Sequence, residues 1–507
     1  MNEEKMLVDY NEYYSKFFVA STIYAFIATI FLFKNYNGIS ISFFAVATVL
    51  YAIYCMNISK VKIKFGSKIL MSFIILLGIS TFRTCDDVIV CFNYLMMFIT
   101  LIILFIHSYT NDEKWQFIEY VISFIITTIC PIGCIKSVFP QNKNGEESKD
   151  FKFGYIILGI VISVCLLIVI MPLLLSADKI FSEIVKKYIN IQDVFGFAFL
   201  FIFLLFASFC GVRYLNTNGA NVELRNYKKI NELLGITTFS IISVVYVAFS
   251  IVQIFGLFLN KMKLPADVTY STYARSGFFQ LLLVATINLF IIVISFYIFN
   301  KSKTIKLLLS IISISTYIML FSSVYRLILY IQVYQLTKLR IYAMWGLIIV
   351  LFGLTGAVIS IFNDKFRLVQ YGYLVLIFLW TLLSFLRPEY IISKYNLSVK
   401  NKSGDNNYVD IEYLSKFSAD ASLPIYEYLD KHRDELEKDI SLDEKEKLSQ
   451  DYPGYDLTYL KKYYFHIGDT TSDDKQNNTD EQNIENEFLR FNYSRNDYIK
   501  CKEKLIK

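Results

Sequence analysis

Long apolar runs separated by short polar breaks fill the first 386 residues, and the pattern turns mixed and polar after Arg387. A helix needs about 20 apolar residues to cross the hydrocarbon core of a bilayer, and about twelve runs approach that length. Their limits are Phe17–Phe33, Ile39–Met56, Ile69–Phe82, Val88–His107, Trp115–Ile135, Tyr155–Leu175, Val194–Val212, Gly235–Leu259, Phe278–Phe299, Leu307–Tyr334, Ile341–Phe362 and Leu368–Leu386. The third is short, and the fifth carries Glu119 near its start and Pro131 near its end, so both are candidates for interfacial or re-entrant segments. The pattern predicts an all-α fold: a polytopic transmembrane helix bundle with a small, mostly helical soluble C-terminal tail.

The predicted organisation is a bundle over 1–386, a soluble helical tail over 387–467, a disordered polar linker over 468–487 and a basic helix over 488–507. After Arg387 and Pro388 an extended linker is expected through Asn401, Gly404 and Asn407. A helical stretch follows around Ile411–Phe417, and Ser422 reads as an N-cap ahead of Pro424. Ser441 and Glu444 have capping-box spacing for a second helix. The last segment interleaves aromatics with Arg490, Arg495, Lys500 and Lys502 and reads as a frayed solvated helix, with a membrane-surface or partner contact as the alternative.

Composition agrees with the pattern. The chain has 507 residues, 55% hydrophobic and only 19% charged, which excludes an ordinary soluble enzyme. The net charge of +6 belongs to loop lysines and arginines near lipid headgroups, and nothing resembles a nucleic-acid footprint. The eight cysteines fall mostly in apolar runs and read as buried thiols. Orientation signals conflict: Lys60, Lys62, Lys64 and Lys68 favour one loop inside, while Lys136, Lys143, Lys149 and Lys152 favour another that lies an odd number of spans away. The short N-terminus has no cleavage site and is expected to be retained in the cytoplasm. An even span count then places the tail there too, in a bacterial inner membrane.

The most informative single residue is Arg326, a charge well inside an apolar run. Such a group must pair, snorkel or line a wet cavity. Ser322, Ser323, Arg326, Tyr330, Tyr334 and Thr337 recur at helical spacing, and the preceding spans carry stripes of Ser243, Tyr246, Ser250 and Gln253, and of Ser276, Gln280 and Asn288. The candidate polar cavity is therefore Arg326, Tyr330, Tyr334, Ser323, Gln253, Gln280 and Asn288. The competing reading is that these groups hydrogen-bond across helices and brace the bundle. A second motif, Tyr273, Arg275 and Gly277 together with Arg340, has the composition of a headgroup-level anchor.

Catalytic and metal chemistry find little support. The three histidines are scattered, and neither a Walker A pattern nor a Gly-rich nucleotide loop is present. Asp86 and Asp87 sit together in a short loop, but the long first loop expected of a metal-assisted glycosyl transferase is absent. No catalytic residue, metal or cofactor is expected.

Three ordered blocks resemble a known family. The first holds Leu175-Ser176-Ala177-Asp178, then Tyr273-Ala274-Arg275 and Gly277-Phe278-Phe279-Gln280-Leu281. The second holds Tyr325-Arg326, Tyr330, Tyr334, Leu336-Thr337, Leu339-Arg340 and Tyr342. The third runs from Arg387-Pro388 through Tyr395-Asn396 and Tyr413-Leu414 to Phe417-Ser418-Ala419-Asp420-Ala421 and Pro424. Together they resemble a family of bacterial integral membrane proteins described only as domain of unknown function 4173, related to family 4153, over roughly 170–425. The resemblance implies an all-helical membrane protein and carries no substrate or catalytic residue. The expected function is a non-enzymatic sensor or regulatory membrane component acting through an acidic cytosolic tail. Its expected partners are the lipid bilayer and a cytosolic or membrane protein, with no nucleic acid. A permease for an anionic or lipid-like solute bound near Arg326 is the alternative, and an intramembrane lipid- or glycan-processing enzyme the third reading.

Overall fold

A computed structural model describes residues 10–113, 115–138, isolated positions between 159 and 177, 191–220, 229–255, 270–300, 302–398, 411–432, 461, 464–465 and 490–506. Among the described residues there are helices and no strand, and 11 helices are long and apolar enough to cross a membrane. The predicted run Tyr155–Leu175 lies mostly outside the described residues, as do the 468–487 linker and the Ser441 helix. The chain divides into two compact units, Met1–Glu223 with Ser472–Asn496, and Leu224–Thr471 with Asp497–Lys507. The division between these units falls between Glu223 and Leu224.

The first unit contains α1 (Tyr10–Leu32), α2 (Ser40–Ile58), α3 (Phe65–Arg83), α4 (Asp87–Tyr109), α5 (Phe117–Ile129) and α6 (Ile191–Asn218). Local chemistry sets several ends. Asp86 caps α4 by accepting from the Val88 amide at 3.0 Å, and Gln116 with Glu119 forms a capping box on α5. Pro131 and Gly133 break the helical run, and the chain tightens to a 3₁₀ turn over Cys130–Val138. The short third run is a full 19-residue helix, α3. Gly78 lets it approach α2 closely, since a Cβ there would stand 2.6 Å from the Ala45 Cβ. Phe18 and Tyr14 meet Phe209 edge-on at 5.3 and 5.6 Å between centroids. Buried Asn93 donates to Ser80 at 3.2 Å and Thr81 at 3.1 Å, binding α4 directly to α3.

The segment Phe491–Ser494, ahead of and opening the last helix, is bound within this unit. Asn492 Nδ2 donates to the Asn37 carbonyl at 2.6 Å and the Thr84 carbonyl at 2.9 Å, while its Oδ1 accepts from Cys85 Sγ at 3.1 Å. Ser494 Oγ donates to the Arg83 carbonyl at 2.6 Å, and the Ile39 amide donates to the Phe491 carbonyl at 2.8 Å. All of these partners lie in the α1–α2 and α3–α4 loops or in the last residue of α3, at the end of α1 opposite Tyr10. Within the unit, the length of α1 separates this segment from Tyr10.

The second unit contains α7 (Glu232–Gln253), α8 (Tyr270–Ile298), α9 (Lys303–Tyr334), α10 (Lys338–Phe362), α11 (Leu368–Leu386), α12 (Pro388–Ser398), the short α13 (Ile411–Ser415) and α14 (Ser422–Lys431). The final helix α15 (Tyr493–Ile506) contributes its residues from Asp497 onward. One apolar core runs from Phe278, Ile312 and Leu354 in the long helices to Ile392, Leu414, Ile425 and Phe465 in the tail. Two expectations for the tail are corrected. Pro388 opens a helix instead of an extended linker, because proline suits the first turn, where its missing N–H has no partner to lose. Ser418, not Ser422, is the cap: it accepts from the Asp420 amide at 3.3 Å and starts a short 3₁₀ turn before α14.

Candidate functional site

Arg326 sits on α9, eight residues or ~12 Å before the helix ends at Tyr334. It is 6% exposed, and its guanidinium Nη2 donates to Gln253 Oε1 at 3.3 Å. The same oxygen accepts from Ser322 Oγ at 2.7 Å, so the amide of Gln253 is oriented by α9. Ser323 Oγ donates to the Phe278 carbonyl at 3.1 Å. Gly277 completes the arrangement: a Cβ there would stand 1.7 Å from Arg326 Nη1 and 2.9 Å from its Cζ. The guanidinium thus lies over bare α8 backbone, and only glycine leaves room for it.

About two to three turns away along α9, Tyr246 Oη donates to Asn288 Oδ1 at 2.7 Å, and Asn288 Nδ2 donates to Thr316 Oγ1 at 2.9 Å. Thr316 in turn donates to the Ile312 carbonyl at 2.7 Å. Asn288 is fully buried. Three helices are thereby joined in two polar layers, Arg326 with Gln253 and Ser322 in one, Tyr246 with Asn288 and Thr316 in the other.

Not every predicted member takes part. Gln280 is exposed on α8, because eight residues advance a helix by about 80° beyond whole turns and so turn it away from Asn288. Gly277 is eleven residues from Asn288, within about 20° of the same face, and is the α8 residue that meets Arg326. Tyr330 and Tyr334 face Arg340 instead: its guanidinium lies 4.2 Å from the Tyr330 ring centroid and 6.0 Å from that of Tyr334. Arg340 Nη1 also donates to the Tyr334 carbonyl at 2.6 Å and to the Gln335 carbonyl, closing the C-terminus of α9 where Gln335 takes φ 63°. Tyr273 and Arg275 lie in the first turns of α8, and the placement of their side chains is outside the described part.

Sequence reasoning missed the second polar cluster of this unit, where the tail meets the α9–α10 loop. Glu389, 1% exposed, pairs with Lys338 and accepts from the Ser418 amide at 2.8 Å and from the Ser418 hydroxyl. Arg387 Nε stands 3.7 Å from Asp420 Oδ1, and its Nη2 donates to the Asp420 carbonyl at 3.1 Å. Asn396 holds Leu336 by both backbone groups, accepting from its amide and donating to its carbonyl at 2.9 Å each. Tyr413 accepts from the Lys338 amide at 2.9 Å, and Tyr464 donates to the Ser418 carbonyl at 2.7 Å. In sequence these look like solvated charges of a soluble tail; only the fold pairs them.

The first unit has a smaller missed cluster in the loop between α4 and α5. Asp112, 2% exposed, accepts from Tyr120 Oη at 2.5 Å and bonds His107 Nδ1 at 2.7 Å, with Lys64 Nζ at 3.8 Å. Burial opposes its ionisation, but the hydrogen bonds of His107 and Tyr120 and the charges of His107 and Lys64 outweigh it and hold the carboxyl below its ordinary 3.8. Lys64 also donates to the His107 and Thr110 carbonyls at 2.7 Å each, closing the C-terminus of α4. No group of three or more metal-ligating side chains occurs among the described residues.

The helices and their polar layers define a polytopic all-α membrane protein with a docked C-terminal tail. A family model described as "Domain of unknown function (DUF4153)" matches residues 71–428, and the chain belongs to that family. The match names the 4153 family rather than its 4173 relative, and it starts within α3, well before the Leu175 block. No curated protein and no solved structure matches the chain.

Proposed function

We infer that this is a non-enzymatic regulatory component of a bacterial inner membrane, close to the 4173 branch of its family, with the tail as its output. The observation that carries the reading is Glu389. Its buried carboxylate bridges Lys338, at the start of α10, and Ser418, in the tail. A displacement of α9 moves Leu336 and Lys338, which the tail holds through Asn396 and Glu389, so the packing of the bundle is transmitted to the surface of α14. Arg326 is compatible with the same reading: it bonds Gln253 and packs over Gly277, as a group that braces the bundle does. The test is in-membrane cross-linking from the tail. Wild type is expected to recover a defined partner set that Glu389→Gln changes; the same set from both, or none from either, overturns the reading.

A permease for an anionic solute is the second reading, favoured by the donor-rich company of Arg326. It requires that an anion raise the melting temperature of wild type and of Arg367→Ala, whose arginine is exposed, but not that of Arg326→Ala. Equal shifts in all three, or none, eliminate it.

A further inference from the structure

Two hydroxyls on the inner face of α7 are not accounted for by protein contacts. Ser243 and Ser250 are each 5% exposed, and neither Oγ has a hydrogen-bond partner among the described residues. A helical hydroxyl commonly satisfies itself on the carbonyl one turn back, as Ser310, Ser313 and Thr316 do on α9. Ser243 and Ser250 do not, in a bundle whose surroundings offer no solvent to replace the bond. Both stand in register with the polar layers. Ser250 lies between the Gln253–Arg326 layer and the Tyr246–Asn288 layer, and Ser243 lies one turn beyond Tyr246 on the same stripe, ~15 Å from Gln253.

The geometry selects the occupant. The Oε1 of Gln253 is held by Ser322 and Arg326, which turns its amide N–H groups away from α9. At Ser250 and Ser243 a partner must both donate and accept, fit between packed helices and make two or more bonds, and water does so. We propose that the α7–α8–α9 interface is a hydrated polar seam, entered from the end of the helices that carries Arg326, with water bound at Ser250 and Ser243. The seam goes beyond the regulatory reading, which does not require it, and the failure of either leaves the other standing.

The test uses the full chain in lipid nanodiscs and methanethiosulfonate ethylammonium, which attacks a thiol only where water can ionise it. Rates for Ser250→Cys, Ser243→Cys and Val244→Cys are read by peptide mass spectrometry, which separates them from the native cysteines. Val244 is 71% exposed on the outer face of the same helix. Ser250→Cys is expected to react at least ~10-fold faster than Val244→Cys, with Ser243→Cys in between. A rate at or below the Val244 level at either serine overturns the seam. Ser250→Ala gives a readout that does not depend on a folded cysteine variant. Deleting a dry, orphaned hydroxyl raises the melting temperature, whereas deleting a hydrated one leaves it unchanged or lowers it, so a rise also overturns the proposal.

Discussion

Gly277 and Arg326 form the sharpest pair at the scale of single residues. A Cβ at Gly277 would drive Arg326 Nη1 out of its place, and the displaced guanidinium would lose Gln253. Gly277→Ala is therefore expected to destabilise by about 1–3 kcal/mol, and to be nearly neutral in an Arg326→Ala background. A double-mutant cycle of thermal unfolding in detergent measures this coupling, and additive losses would show that the contact is not responsible. Arg326 was legible in the sequence because a lone charge in an apolar run is conspicuous. Its contact with Gly277 was not, because it joins residues on different helices and a glycine has no side chain to announce a role. Asp112 makes a second prediction at this scale. Its folded pKa is depressed, so its contribution is fully present above its ordinary value of 3.8 and lost as pH falls through the lowered folded one. Asp112→Asn should therefore remove part of the stability at neutral pH and flatten the loss below about pH 4. Identical pH profiles for the two proteins would contradict it.

The elements were more legible than their company. Eleven of the expected runs correspond to helices that can span a bilayer, because twenty apolar residues in a row have few alternatives. The segment after Leu386 was misread for a physical reason: Arg387, Glu389, Lys338 and Asp420 look solvated one at a time, and become core when paired. Asn396 is the residue that ties this segment to α9. With Asn396→Ala, the Leu336 amide and carbonyl lose their partner together, at a cost of about 2–6 kcal/mol given about 1–3 per buried unsatisfied group. Hydrogen exchange by mass spectrometry should show faster exchange over Leu336–Lys338 and over α12, with α7 unchanged. An unaltered pattern would mean that the tail is held by its apolar core alone.

At the scale of the molecule, the sequence left orientation unresolved, since loops an odd number of spans apart both carried lysines. Part of the conflict dissolves at Lys64, whose ammonium is engaged by two carbonyls and Asp112 and so is no free headgroup charge. The contacts of Asn492 then supply what charge counting could not. α1 is 23 residues long, or ~35 Å, and Phe491–Ser494 lies against the loops at its far end. Lys62, in the α2–α3 loop, shares the face where α1 begins. An impermeant thiol reagent applied from one side of sealed membranes should therefore label Lys62→Cys or Phe491→Cys, never both; both positions are exposed. Labelling of both from the same side would mean that the C-terminal segment is not seated on the α1–α2 and α3–α4 loops in the membrane. It would also remove the basis for expecting the start of α1 and Phe491–Ser494 on opposite faces.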